Sequence, residues 1–333
     1  MLRLSPALWL FLPAADSACS IMSTSLAFVF PGQGSLSMGT LADFGAENPV
    51  ILETFKEASK ALGYNLWALV QEGPQEQLDQ PEKAEPAILT VSIALWRLWL
   101  ENGGPCPAFV SGHGFGEYSA LVAAGSLSLD TAVRLIESRA RLMQATAELN
   151  DGAMVTILGL EDADVVAICG EAAKGQVVSV TYFNSPGQVV IAGHKAAVNR
   201  ATELCKAKGA KRVVPTAGNV PSHCALMKPA AGRFSAMVNS VEWMTPHMPV
   251  VRNVTATVAA DLDTLKQDLM VELYKPVHWV ECVRTLARNG VVSMVECGPG
   301  RALAALNKRC ADGVTTYGIN SPDQLATTRT ALS

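Results

Sequence analysis

The stretch Ser111-Gly112-His113-Gly114-Phe115-Gly116-Glu117-Tyr118-Ser119-Ala120 decides the fold. It follows a short apolar run, Ala108-Phe109-Val110, and opens an apolar helical pattern. Strand, sharp turn and helix in that order read as a nucleophile elbow, written G-x-S-x-G when intact, in which a strained turn exposes a serine hydroxyl above a sheet. Gly112 and Gly116 supply the frame, while the central position is Gly114, with no side chain. An elbow backbone is costly for a residue with a β-carbon and easy for glycine, so the fold tolerates Gly114 while the hydroxyl chemistry is lost.

Upstream, the buried strand Leu26–Phe30 runs into the glycine-rich turn Pro31-Gly32-Gln33-Gly34-Ser35. Residues 86–102 predict a long helix with Ile88, Ile93, Leu95 and Leu98 inward and Pro86 in its first turn. Helices alternating with short apolar runs indicate a parallel sheet whose ligands gather at the strands' carboxyl ends. From Gly152 the pattern changes. Strands at 153–158, 177–182, 188–192 and 211–214 enclose helices at 162–173 and 195–208. That β-α-β-β-α-β order is the ferredoxin-like arrangement. The first pattern then resumes with a helix after Pro221, a strand at 249–251, and a strand at 291–295 that ends in Cys297-Gly298-Pro299-Gly300. The expected architecture is α/β: a large parallel-sheet, hydrolase-like domain (23–150 and 218–333) with a small ferredoxin-like α+β domain (151–217) inserted, and a cleft between them.

The 333 residues are 49% hydrophobic, enough for one large domain with an insertion. A formal charge of −4, without runs of like charge, gives no electrostatic basis for nucleic-acid binding. The eight cysteines form no C-x-x-C pair, which argues against a zinc site and fits reduced thiols in a cytoplasmic protein. Residues 1–22 read as a start placed too early, with translation beginning at Met22; a weak signal-like segment is the other reading, and its apolar stretch is too short to span a membrane.

Three signals occur in one order: Pro31-Gly32-Gln33-Gly34-Ser35, then Gly112 to Leu121, then Val220-Pro221-Ser222-His223. Together with Gly298-Pro299-Gly300 and the inserted unit, they make the chain resemble, from about Ser23 onward, the malonyl-CoA:acyl carrier protein transacylases of bacterial type II fatty acid synthesis. The resemblance implies an elbow serine that takes the malonyl group from CoA as an acyl-enzyme, with a histidine as base and then acid. The phosphopantetheine thiol of acyl carrier protein then collects the group. The catalytic positions are Gly114, where the serine is lost, and His223. Arg139 matches the arginine that grips the malonyl carboxylate, a task suited to the two parallel donors of a guanidinium. Gln33 and Phe115 match the positions whose backbone N–H groups form the oxyanion hole. His278 falls on a glutamine position whose backbone carbonyl orients the histidine, and Leu36 replaces a second glutamine and alters cleft polarity. His113 is structural in the family. No metal and no cofactor is implied beyond the substrate malonyl-CoA and the partner's phosphopantetheine. The partner is acyl carrier protein, with no membrane and no nucleic acid, and the chain is expected as a monomer.

Arg134 and Arg141 read as surface arginines, and His194 and His247 as surface histidines. Cys224 follows His223, but neighbours on a helix point about 100° apart, which disfavours a Cys–His pair. Ser111 before the turn and Ser119 in the helix are out of reach of the elbow position, and Ser222 belongs with the pocket wall. Malonyl transfer is therefore expected to be weak or absent. One alternative is a non-catalytic paralogue that binds acyl-CoA or carrier protein. Another is a slow malonyl-CoA hydrolase in which His223 activates water.

Overall fold

The computed structural model describes residues 22–32, 36–45, 47–216 and 220–333. The start-site reading and the Gln33 assignment fall outside these residues. The strands are β1 (Met22–Phe30), β2 (Cys106–Gly112), β3 (Gly152–Leu158), β4 (Val178–Ser185), β5 (Gln188–His194), β6 (Arg212–Pro215), β7 (Val250–Val251), β8 (Ser293–Glu296) and β9 (Thr315–Gly318).

The larger sheet has the order β7-β2-β1-β8-β9 and is parallel at every pairing. β1 lies at its centre, and Leu26 through Phe30 are buried without alternation. A strand covered by helices on both faces reads as a continuous apolar run. Phe28 meets the edges of Trp96 and Trp99 at 5.0 and 5.4 Å between centroids. Those tryptophans belong to the Pro81–Glu101 helix, so this contact packs the long helix onto the middle of the sheet.

The stretch from Gly152 to Pro215 supplies the whole second sheet, ordered β4-β5-β3-β6 and antiparallel throughout. Its helices Asp162–Ala173 and Lys195–Lys208 begin and end where the sequence places them. β4 is joined to the segment ahead of the Trp279–Arg288 helix by a parallel bridge between Tyr182 and Val277. The Phe183 N–H donates to Val277 O, and the Val277 N–H donates to Thr181 O, each at 2.9 Å.

Several expectations are corrected. The long helix begins at Pro81, which takes the first-turn position, and Pro86 lies inside it. The helix expected after Pro221 begins only at Lys228, preceded by a 3-10 turn at Ala225–Met227. β9 was not foreseen, because Thr-Thr-Tyr-Gly contains no apolar run. Among the described residues six cysteines are free and buried. Leu36 packs against the main core and is not part of the cleft lining. No described helix is long and apolar enough to cross a membrane.

Candidate active site

The elbow is held by close backbone approach. Phe30 and Gly112 are register partners at the carboxyl ends of β1 and β2, and the His113 N–H donates to Phe30 O at 2.9 Å. A Cβ on Gly112 would fall 2.0 Å from the Gly116 carbonyl carbon, and one on Gly116 would fall 2.3 Å from Phe30 O. A Cβ on Gly32 would fall 2.1 Å from His113 O. These three glycines are sterically required. Gly114 is different: its φ is +57°, yet the nearest atoms to a Cβ there would be Tyr182 Oη at 3.5 Å, a Tyr182 ring carbon at 3.6 Å and His223 Nε2 at 3.9 Å. A serine would fit, with its hydroxyl one bond further on and within hydrogen-bonding reach of His223.

His223 is 1% exposed and has a left-handed φ of +58°. It therefore sits in a turn ahead of the helix, not in the helix that the sequence reading starts after Pro221. Its own N–H donates to Leu273 O at 2.9 Å. The ring Nδ1 lies 2.6 Å from Glu272 O, a carbonyl that can only accept. The proton is thus on Nδ1, and the Nε2 lone pair faces Gly114. Burial, then the nearby Arg139 charge, lower the His223 pKa to about 3, so the ring is neutral. The orienting carbonyl belongs to Glu272, which corrects the assignment to His278. His278 begins the Trp279–Arg288 helix, stacks on Phe183 at 5.1 Å, and donates its N–H to Asn253 O at 3.0 Å.

Sequence reasoning missed a polar chain beneath the elbow. Gly114 N–H donates to Asn253 Oδ1 at 3.3 Å. Asn253 in turn gives its backbone N–H (2.9 Å) and its Nδ2 to the Glu117 carboxylate. Glu117 and Asn253 are 2% and 0% exposed. Burial raises the Glu117 pKa, and the Asn253 hydrogen bonds oppose that rise. An acid inside the apolar Gly116–Ala123 helix was a readable signal; Asn253, 139 positions from Gly114, offered none. Tyr182 was also missed. It stacks on His113 at 5.3 Å and meets the edge of His223 at 4.7 Å. His113 is fixed by Asn184 Oδ1 at 2.7 Å and by the Trp279 ring.

Gly114, Phe115, Arg139 and His223 all line one cleft of about 300 Å³ between the sheets, with Tyr182 and Ser222 on its wall. Arg139, on the Leu129–Glu148 helix, is 2% exposed, and its Nη1 lies 3.1 Å from Glu85 Oε2. Burial alone would lower its pKa, but Glu85 and other neighbours raise it, so the guanidinium is charged. Burial pushes the Glu85 carboxyl up to about 7 against the pull of Arg139. Glu272 is 1% exposed, and both its carboxyl oxygens lack a partner among the described residues. Burial and then Glu117 raise its pKa well above the usual carboxylate range.

The remaining candidates lie elsewhere. Ser111 Oγ donates to Val251 O at 2.8 Å, and Ser119 is fully buried in its helix. Cys224 Sγ is turned to Pro221 O at 3.1 Å. Arg134 and Arg141 pair with Asp130 and Glu137 on the exposed face. His194 is not a simple surface residue, because its Nδ1 accepts the Val177 N–H at 3.0 Å and holds the start of β4. His247 is likewise half-buried.

The acyl transferase domain family matches residues 27–305. The malonyl CoA-acyl carrier protein transacylase of Escherichia coli K12 is 50% identical over 303 residues, covering 91% of this chain and 98% of that protein. The crystal structure of the corresponding Xanthomonas oryzae enzyme superposes with a TM-score of 0.92 at 44% identity, covering 94% and 100% of the two chains. A malonyl-transacylase in complex with its type II polyketide acyl carrier protein superposes with a TM-score of 0.90 at 46% identity, covering 92% and 99%.

Proposed function

The chain belongs to the acyl transferase family, among the malonyl-CoA:acyl carrier protein transacylases, and from that premise we propose that it binds malonyl-CoA and carrier protein without forming an acyl-enzyme. In this reading the malonyl thioester enters the cleft with its free carboxylate toward Arg139. The thioester oxygen is directed at the Phe115 N–H; Gln33, the family's second donor position, lies outside the described residues. His223 Nε2 is the base, held in that tautomer by the Glu272 carbonyl. A serine at position 114 would pass its proton to Nε2 while attacking the thioester, and the C–S bond would break as CoA leaves as its thiol with that proton. The carrier's phosphopantetheine thiol would then give its proton to Nε2 while attacking the acyl ester, and the serine oxygen would leave with the proton returned from the same nitrogen. Gly114 removes the attacking atom and leaves the base, the carboxylate partner and the oxyanion donors.

One observation carries the reading: the space beside Gly114 accepts a Cβ and leads directly to Nε2. Removing a nucleophile from a working constellation costs about 10⁶ in turnover, with roughly 10³–10⁴ over water retained. The expected result is an unchanged intact mass after incubation with malonyl-CoA and no measurable malonyl transfer to carrier protein. Gly114→Ser is expected to give a malonyl adduct and to regain transfer. An adduct on the unaltered protein overturns the reading by exposing another nucleophile. Steady release of free malonate without an adduct favours the hydrolase, in which water is activated between Tyr182 Oη and Nε2. A silent Gly114→Ser variant that still binds the substrate favours the non-catalytic paralogue.

A further inference from the structure

Arg139 is the group that the proposed function assigns to the substrate carboxylate, yet it already has one. Glu85 Oε2 lies 3.1 Å from Arg139 Nη1, the arginine side chain is 2% exposed and the glutamate 15%, and both line the cleft. We propose that Glu85 sets acyl-group specificity. It serves as an internal carboxylate for Arg139, so a substrate carboxylate enters only when Glu85 takes up a proton, while an uncharged acyl group enters without one. The inference rests on Arg139 being the acyl-carboxylate partner.

Charge balance around the arginine carries the argument. The groups interacting with Arg139 and Glu85 come from every neighbouring element. They are Glu82 beside Glu85 on the long helix, Tyr118 on the elbow helix, Tyr182 on β4 and Glu272 at the end of the Leu262–Glu272 helix. His223 stands by in its turn, held neutral, and Asp79 lies in the cleft wall. Of these groups only Arg139 is positively charged. Burial and Glu117 favour the protonated form of Glu272, whose oxygens have no hydrogen-bond partner among the described residues, so the carboxylate paired with the guanidinium is that of Glu85. A malonyl carboxylate would be a second negative charge on one cation. Like charges sharing a site cannot all stay ionised in a buried environment, so one takes a proton. Glu85 is the acid placed to do so, because it lies on the cleft wall in direct contact with Arg139 and burial already brings its pKa to about 7.

The sign of the effect follows. Binding that requires protonated Glu85 weakens as the protonated fraction falls, and for a pKa of about 7 that fraction drops roughly thirtyfold between pH 6 and pH 8.5. Acetyl-CoA has the same CoA moiety and no acyl carboxylate, so it is the control for titration of the CoA phosphates. Calorimetric titration with both esters at the two pH values, on the unaltered protein and on Glu85→Gln, is the test. The malonyl-to-acetyl affinity ratio is expected to fall about thirtyfold from pH 6 to pH 8.5 in the unaltered protein and to stay constant in Glu85→Gln. Malonyl-CoA binding at pH 8.5 is expected to take up close to one proton, read from heats in buffers of different ionisation enthalpy. That measurement needs no variant. A pH-independent ratio with no proton uptake overturns the inference and leaves the acyl-CoA reading standing. Failure of both esters to bind at either pH overturns the acyl-CoA reading, and the inference with it.

Discussion

His223 is a neutral imidazole kept neutral by its surroundings, and that has a consequence for stability as well as chemistry. Its folded pKa is lowered to about 3, against about 6.5 in an unfolded chain. Between those values the unfolded state binds a proton that the folded state refuses. The stability contribution is complete above about pH 6.5 and is lost as the pH falls toward 3. Urea unfolding of the unaltered protein and of His223→Gln at pH 7 and pH 5 should differ in slope, with about 2 kcal/mol more lost by the protein that retains the histidine. Asn253 makes a second test at this scale. Asn253→Ala removes the Nδ2 bond to the buried Glu117 carboxylate while the backbone N–H bond remains, and it frees the Gly114 N–H; it should cost about 1–3 kcal/mol in the same experiment. Residues of this kind were only partly legible in the chain. His223, Gly114 and Arg139 lie within recognisable local patterns, and they come together in the cleft. Glu272 acts through a backbone carbonyl, which no residue type marks, and Asn253 acts through a side-chain amide 139 positions from Gly114, with no local pattern to single it out.

Among elements, the elbow separates two kinds of glycine. Gly116→Ala drives a Cβ into Phe30 O and should cost about 3 kcal/mol or more, since only movement of the β1 backbone relieves it. Gly114→Ser places its Cβ in ordinary van der Waals contact with Tyr182 and His223 and should cost about 1 kcal/mol, from its positive φ. Comparison of urea midpoints for the two variants checks the contrast, and a large loss for Gly114→Ser would contradict the geometry. Element boundaries were readable where a local device ends the element. The Lys195–Lys208 helix stops at Gly209, whose φ of +103° admits no ordinary side chain comfortably. They were misread where a signal occurs twice. Pro81 and Pro86 both suit a first turn, and only the packing of the whole helix decides that Pro81 takes it.

Across the whole molecule, the fold class was legible because order along the chain implies topology. A parallel sheet interrupted by β-α-β-β-α-β has few ways to be built. The electrostatic character of the cleft was not legible. Glu85 lies 54 positions from Arg139 and shares no periodicity with it, and the fold alone makes them neighbours. The backbone bridge between β4 and Val277 belongs to this scale too. Thr181 and Phe183, which flank Tyr182, are tied to Val277, while the Tyr182 ring covers both Gly114 and His223. The Phe183 and Val277 amides should exchange with deuterium as slowly as those of β1. Rapid exchange there would mean that β4 parts freely from the Val277 segment. The bridge acts as a sewn seam along one edge of a purse. It fixes the stretch of main chain from which the Tyr182 ring reaches over position 114, so the root of that ring is set before any acyl group arrives.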